Sequence, residues 1–155
     1  MADVFSPTLI MASGQYQVHR NTASQLTLLL SGAIDEETVL GCERETRMRL
    51  AVAEGGSLQI LWDFRGVESY SFEARIVLVR LQRFLALKAA CTVYVAAELA
   101  ARSLALWAAH MGGHGRMCIT ADVKGAQSWL AGESEPTTGR HLIHGASAPP
   151  KDKAG

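Results

Sequence analysis

Two serines and an aspartate lie between an apolar run, Leu58 to Trp62, and a helix predicted to begin near Phe72. Asp63 follows the apolar run, and Ser69 and Ser71 precede the helix. A phosphate on either serine would lie at the helix N-terminus, where free N–H groups and the helix dipole favour anions. Ser71 is also placed to cap the helix, and Asp63 to accept hydrogen bonds from the segment after it. We favour these structural roles and keep phosphorylation of Ser69 or Ser71 as the alternative.

The predicted helix after Ser71 carries arginines on a partly apolar surface. Arg75, Arg80 and Arg83 accompany Ile76 and Val79, all outside the stripe of apolar positions expected to face a sheet. Arginine with apolar neighbours is typical of protein interfaces, so the pattern predicts a partner-binding face. The alternative is a wide core stripe flanked by ordinary surface residues. Because Arg80 falls outside the stripe, we expect its replacement to preserve the fold.

Two acids complete this candidate surface. Glu68 lies in the polar segment before the helix, which we predict to be a loop at the C-terminal edge of the sheet. Glu73 lies in the first helical turn and is either a fixed negative charge for a partner or an ordinary first-turn acid. The predicted partner-binding residues are Asp63, Glu68, Ser69, Ser71, Glu73, Arg75, Ile76, Val79, Arg80 and Arg83.

Metal and catalytic chemistry are weakly supported. His110, His114 and Cys118 have metal-capable side chains, but intervening glycines interrupt any common helix, and a structural site needs four convergent ligands. The sequence contains neither a Gly-x-Ser-x-Gly nucleophile turn nor a phosphate-binding loop followed by Lys-Ser/Thr. We therefore expect a protein that uses no metal or cofactor and is not an enzyme.

Composition is that of one folded domain. Hydrophobic residues make up 48% of the 155 residues and charged residues 19%, with zero formal net charge. No basic excess indicates nucleic acid, and no apolar run is long enough for a membrane span. Three widely spaced cysteines indicate a reducing, cytoplasmic compartment, and the N-terminus has no convincing signal peptide. We divide the chain into an arm (1–13), a domain (14–131) and a poorly ordered tail (132–155).

The sequence pattern of the domain predicts alternating strands and helices. The expected order is strand, strand, helix, strand, helix, strand, helix, strand, helix. The strands are predicted at 16–20, 25–30, 58–64, 91–96 and 117–120, and the helices at 35–54, 72–89, 99–111 and 122–130. This order predicts an α/β fold with a mostly parallel sheet of about five strands, an initial antiparallel pair and about four helices.

Three segments in this order resemble STAS domains, the family of anti-sigma-factor antagonists and sulfate-transporter tails. Gly32–Asp35 resembles the turn before that family's first helix, Asp63–Val67 its signature strand end, and Asp122–Leu130 its last helix. The resemblance covers most of Tyr16 to Leu130 and implies a STAS-like fold. Aligned from Asp63, the family's Asp-Ser-Ser-Gly turn falls on Ser71, Phe72, Glu73 and Ala74, so Phe72 takes the place of the phosphorylated serine.

The resemblance implies a cytoplasmic bacterial regulator that binds a protein, such as a kinase-like anti-sigma factor, but is not switched by phosphorylation in the family's usual way. A related branch, the STAS-like proteins associated with Sec14-type lipid carriers, also lacks the serine. The alternative function is therefore a carrier or sensor of a lipid or other apolar ligand. The first function predicts an exposed, convex site between Ser69 and Arg80, and the second an enclosed apolar cavity of roughly 300 Å³ or more. Whether the chain also forms a homo-oligomer is left open by the sequence.

Overall fold

The computed structural model of the chain describes residues 13–51, 58–112, 116–132 and 141–144. Its strands are β1 (Gln15–Thr22), β2 (Gln25–Ile34), β3 (Leu58–Tyr70), β4 (Ala89–Val95), β5 (Arg116–Thr120) and β6 (His141–His144). Its helices are α1 (Glu36–Ala51), α2 (Phe72–Ala86), α3 (Leu99–Gly112) and α4 (Val123–Leu130). None of the helices in these ranges is both long enough and apolar enough to cross a membrane.

The strands form one sheet in the order β1-β2-β3-β4-β5-β6. β1 and β2 are antiparallel, β2 to β5 are mutually parallel, and β6 returns antiparallel to β5. The predicted α/β architecture, with a mostly parallel sheet after an initial antiparallel pair, is confirmed. The expected count of about five strands omits β6, which lies in the segment assigned to the tail. A run of four residues among polar and glycine-rich neighbours is too short to show a strand period by itself.

Helices cover both faces of the sheet. The larger core contains residues of α1, α2 and α3 packed on strand residues such as Leu28, Ile60 and Trp62. The smaller core joins Trp129 of α4 to the opposite sheet face, on which Leu61 lies. Adjacent residues of a strand point to opposite faces, so β3 contributes side chains to both cores. This double burial explains why the strand begins as a continuous apolar run.

The segment predicted to be a loop after Asp63 is instead the second half of β3. β2 also continues beyond its predicted end at Ser31–Gly32, so the two strands remain paired as far as Ile34 and Tyr70. The register shifts twice along this pair, where β3 has extra residues. A Cβ on Gly66 would lie 2.8 Å from the Ser31 Cβ, so the first irregularity brings the two backbones too close for a side chain there. The polar composition that suggested a loop reflects these bulges.

The starts of two helices are as predicted. Asp35 Oδ1 accepts a hydrogen bond from the Thr38 N–H at 2.9 Å, and Asp122 Oδ1 accepts one from the Gly125 N–H at 2.7 Å. The predicted end of α1 at residues 52–54 and its glycine cap at 55–56 lie outside the described residues, as do 1–12 of the predicted arm and most of the predicted tail. Ser13 of that arm makes a parallel bridge to Ala33.

Candidate functional site

Ser71 caps α2. Its backbone is extended (φ −90°, ψ 165°), and its Oγ accepts a hydrogen bond from the Ala74 N–H at 3.1 Å. The favoured structural role of Ser71 is therefore confirmed. Phe72 follows as the first helical residue with 58% of its surface exposed, and Glu73 is exposed in the same turn. The position that resembles the phosphorylation site thus presents an aromatic ring to solvent.

Asp63 is held by its own strand. Its side chain is nearly buried and accepts hydrogen bonds from Arg65, at 2.9 Å from Nε and 2.7 Å from a terminal nitrogen. Burial raises the pKa of Asp63, but the hydrogen bonds from Arg65 outweigh it and hold the pKa below its usual value. Asp63 lies two residues after Leu61 and so shares its sheet face, the one opposite α2. Asp63 and the α2 arginines therefore do not form one surface.

Glu68 and Ser69 lie near the end of β3 rather than in a loop. Glu68 is exposed at the second register irregularity, and Ser69 is half-buried opposite Ala33 of β2. Tyr70, the last residue of the strand, packs against the larger core, and its hydroxyl lies 2.6 Å from the Ser103 Oγ of α3. The end of β3 therefore contacts α3 directly through this hydrogen bond.

Arg80 is the partner of an acid on α1. Its Nε donates to Glu43 Oε2 at 3.0 Å and a terminal nitrogen donates to Oε1, while Arg47 approaches the same carboxylate at 3.2 Å. Burial raises the pKa of Glu43, but hydrogen bonds from Arg80 and Arg47 outweigh it and lower the pKa overall. The expectation that replacing Arg80 preserves the fold assumed a surface position without structural contacts, whereas Arg80 joins two helices through Glu43. The residue falls off the sheet-facing stripe because it packs against a neighbouring helix instead.

The other two arginines bridge α2 to α3. The Arg75 guanidinium lies over the Trp107 ring, 4.3 Å from its centroid, and 5.1 Å from the centroid of the Phe72 ring. Arg83 Nε donates to the Met111 carbonyl at 3.0 Å, in the last turn of α3. All three predicted interface arginines therefore make contacts within the molecule, although Arg80 and Arg83 remain largely accessible.

A groove of about 430 Å³ runs between α2 and α3. Its floor includes Val79, which is buried although its position lies outside the predicted sheet-facing stripe, while Ile76 is 50% and Met111 45% exposed. The lining residues are Ile76, Val79, Arg80, Arg83, Trp107 and Met111. The site is therefore neither the convex surface expected of an interaction module nor the enclosed cavity expected of a carrier. It is an accessible, largely apolar groove with arginine along it.

Buried contacts fix the spacing of the two helices beneath the groove. Gln82 of α2 is fully buried, and its Oε1 accepts a hydrogen bond from the Trp62 Nε1 at 2.8 Å. A Cβ on Gly112 would lie 3.0 Å from both the Gln82 Cβ and the Val79 carbonyl oxygen, so the end of α3 approaches α2 closely. Trp62 in turn packs with Phe64 in the core. The base of the groove is therefore closely packed.

Four of the ten predicted site residues meet in this groove: Ile76, Val79, Arg80 and Arg83. Arg75 lies beside it through Trp107, whereas Asp63 faces away. Sequence reasoning missed Trp107 and Met111 as site residues, although their four-residue spacing places them on one helical face. It also missed Glu43, whose spacing from Arg47 was the available signal. Within the described ranges, no three metal-capable side chains cluster, and His114 lies outside them.

Comparison with known proteins identifies the fold. No protein-family model matches the chain, and no curated protein matches it. Among solved structures, it is similar to an uncharacterized protein of the DUF3478 family from Shewanella loihica PV-4, described as having a SpoIIAA-like fold. The TM-score is 0.56 at 16% identity, over 77% of this chain and 93% of the other. The chain therefore has the SpoIIAA-like, STAS-type α/β fold that its sequence resembles.

Proposed function

We propose that the chain is a non-enzymatic regulatory module that binds a protein partner through the groove between α2 and α3. The observation that carries this proposal is the accessible apolar lining of the groove, with Ile76 and Met111 half-exposed beside Arg80 and Arg83. Interfaces characteristically combine apolar anchors and arginine in this way. The SpoIIAA-like fold supports a partner of the anti-sigma-factor or related regulatory class.

The start of α2 supports binding without the usual phosphorylation switch. Phe72 has no hydroxyl, and Ser71 uses its oxygen to cap the helix. The exposed Phe72 ring and the Arg75 guanidinium, which contacts both Phe72 and Trp107, extend an aromatic and positively charged surface from the groove to the start of α2. A partner seated in the groove could therefore reach the position where the family places its phosphate.

Capture from native cell lysate tests the proposal. Immobilised wild-type chain is compared with Ile76→Asp, which puts a charge into the groove, and with Leu87→Asp, which makes the same chemical change at a residue that is 83% exposed beyond α2. We expect a regulatory protein, identified by mass spectrometry, to be retained by the wild type and by Leu87→Asp and lost from Ile76→Asp. Equal capture by all three would contradict a binding site in the groove.

The volume of the groove favours a second candidate, an apolar small ligand such as a lipid. Ligand sites range from about 300 to 1,000 Å³, and this groove falls within that range. Its open shape and its arginines favour the protein-binding function. Organic extraction of the purified native protein distinguishes the two, since a stoichiometric lipid that is absent from Ile76→Asp would favour the carrier function.

A further inference from the structure

The charged side chains that line the groove between α2 and α3 are positive. Arg80 and Arg83 line it, and none of the described residues along its walls carries a carboxylate. Arg75 adds a third guanidinium over the Trp107 ring. Glu43 neutralises Arg80, but within the described part of the chain no carboxylate pairs with Arg75 or Arg83. The groove thus presents uncompensated positive charge next to apolar surface.

Two N–H groups beside the groove have no hydrogen-bond partner among the described residues. The Arg75 Nε and the Trp107 Nε1 are buried, and neither has a hydrogen-bond partner in the described ranges. Because neither atom is in contact with solvent, neither is available to an acceptor from a partner, and Arg75, whose side chain is half-buried, contributes its positive charge instead. Arg83 commits its Nε to the Met111 carbonyl. The positive charge of Arg75 and Arg83 therefore points to an occupant that carries anionic oxygen.

We propose that the groove binds an acidic segment of a protein partner in which apolar side chains accompany aspartate or glutamate. Apolar side chains pack on Ile76, Val79 and Trp107, and carboxylates pair with Arg83 and Arg75. The part of α2 from Ile76 to Arg83 is about 10 Å long, so one short segment can contact both residues. This inference rests on the proposed function and names the chemistry of the partner.

Selection from a displayed library of random 12-residue peptides against the full chain tests this inference. We expect the selected peptides to combine aspartate or glutamate with large apolar residues, and their affinity to fall as salt rises. Replacing their acids by asparagine or glutamine should weaken binding at least fivefold in isothermal titration. Arg83→Gln should weaken it about fivefold, the upper end for one exposed ion pair. Arg83→Lys should retain most of the affinity because it keeps the charge.

Arg44→Gln is the matched control, because Arg44 is an exposed arginine of α1 that does not line the groove. It should leave peptide affinity unchanged, and all variants should melt as the wild type does. Selected peptides that lack acids but are lost on Ile76→Asp would overturn the acidic partner while leaving the groove as the protein-binding site. No selection at all, or binding insensitive to both Ile76→Asp and Arg83→Gln, would contradict the groove itself.

Two further experiments identify other occupants of the groove. If laurate displaces the selected peptides and binds more tightly than they do, the occupant of the groove is a fatty acid and not a protein segment. A dimer of the chain that Ile76→Asp dissociates, measured by light scattering, would make a second copy the occupant. Either result would overturn the acidic partner segment.

Discussion

Replacing Arg80 by glutamine should destabilise the fold. Arg80 joins α2 to α1 through two hydrogen bonds to Glu43, a residue that is 7% exposed in a helix packed against the sheet. Glutamine removes the positive charge and leaves the nearly buried carboxylate with Arg47 as its cationic partner. The perturbation therefore tests whether this ion pair holds the two helices together.

The magnitude follows from the burial of the pair. A hydrogen bond to a charged group contributes about 1.5–3 kcal/mol, but the Arg80 side chain is 56% exposed, so solvent screening reduces the effect to about 1–2 kcal/mol. In a domain of this size that corresponds to a fall in melting temperature of about 2–8 °C. Arg80→Glu, which sets two carboxylates together, should cost about 3 kcal/mol.

The effect should depend on pH with a defined sign. The folded-state pKa of Glu43 is lowered below its ordinary value of 4.5, so its ionised form stabilises the fold above that pH. This stability is lost as pH falls through the folded pKa. The difference between wild type and Arg80→Gln should accordingly be largest near pH 7 and shrink below about pH 4.

Urea unfolding followed by tryptophan fluorescence measures these differences. A double-mutant cycle of Arg80→Gln with Glu43→Gln should give a coupling of about 1 kcal/mol at pH 7. Arg44→Gln is the control, because Arg44 is exposed on α1, and it should leave the midpoint unchanged. An Arg80→Gln midpoint equal to wild type at pH 7 would refute the reasoning.

Three further predictions concern α2 and its surroundings. Ser71→Ala removes the N-cap oxygen and should lower stability by about 1 kcal/mol in the same urea titration; an unchanged midpoint would contradict that role. Gln82→Leu leaves the buried Trp62 N–H without its acceptor and should cost about 1–3 kcal/mol by thermal unfolding, whereas wild-type melting would show that the hydrogen bond is unimportant. Because Phe72 lacks a hydroxyl, intact mass and phosphopeptide mapping from native cells should find no switch there; stoichiometric phosphate on Ser69 or Ser71 would show that the switch has moved.

The fold was predictable because its signals are local. The apolar run from Leu58 to Trp62 and the i, i+3, i+4 spacing in α2 identify their elements without any long-range information. The second half of β3 was not predictable in this way. Its polar residues form a strand because β2 continues beside it, and the bulge at Gly66 disrupts the alternation that would have shown it. Pairing between distant strands decides such boundaries.

The helix that carries the candidate site was predictable from the sequence, but its contacts with the neighbouring helices were not. The apolar spacing identifies the helix that carries Ile76 and Arg83 and shows which side of it faces the sheet. It does not show which sides of α2 contact α1 and α3. Val79 is buried because α3 lies over it, and Arg80 is engaged because α1 places Glu43 beside it. The groove itself is a property of two helices at a fixed spacing, which no single segment encodes.

Methyl NMR of the chain, labelled at isoleucine and methionine and titrated with its captured partner, tests the central claim most directly. Ile76 and Met111 line the groove, whereas Met48 is 68% exposed on α1 outside it. The proposed binding site predicts that the Ile76 and Met111 methyl signals shift or broaden on saturation while that of Met48 stays in place. Unmoved Ile76 and Met111 signals at saturating partner would contradict the claim that the groove between α2 and α3 is the binding site.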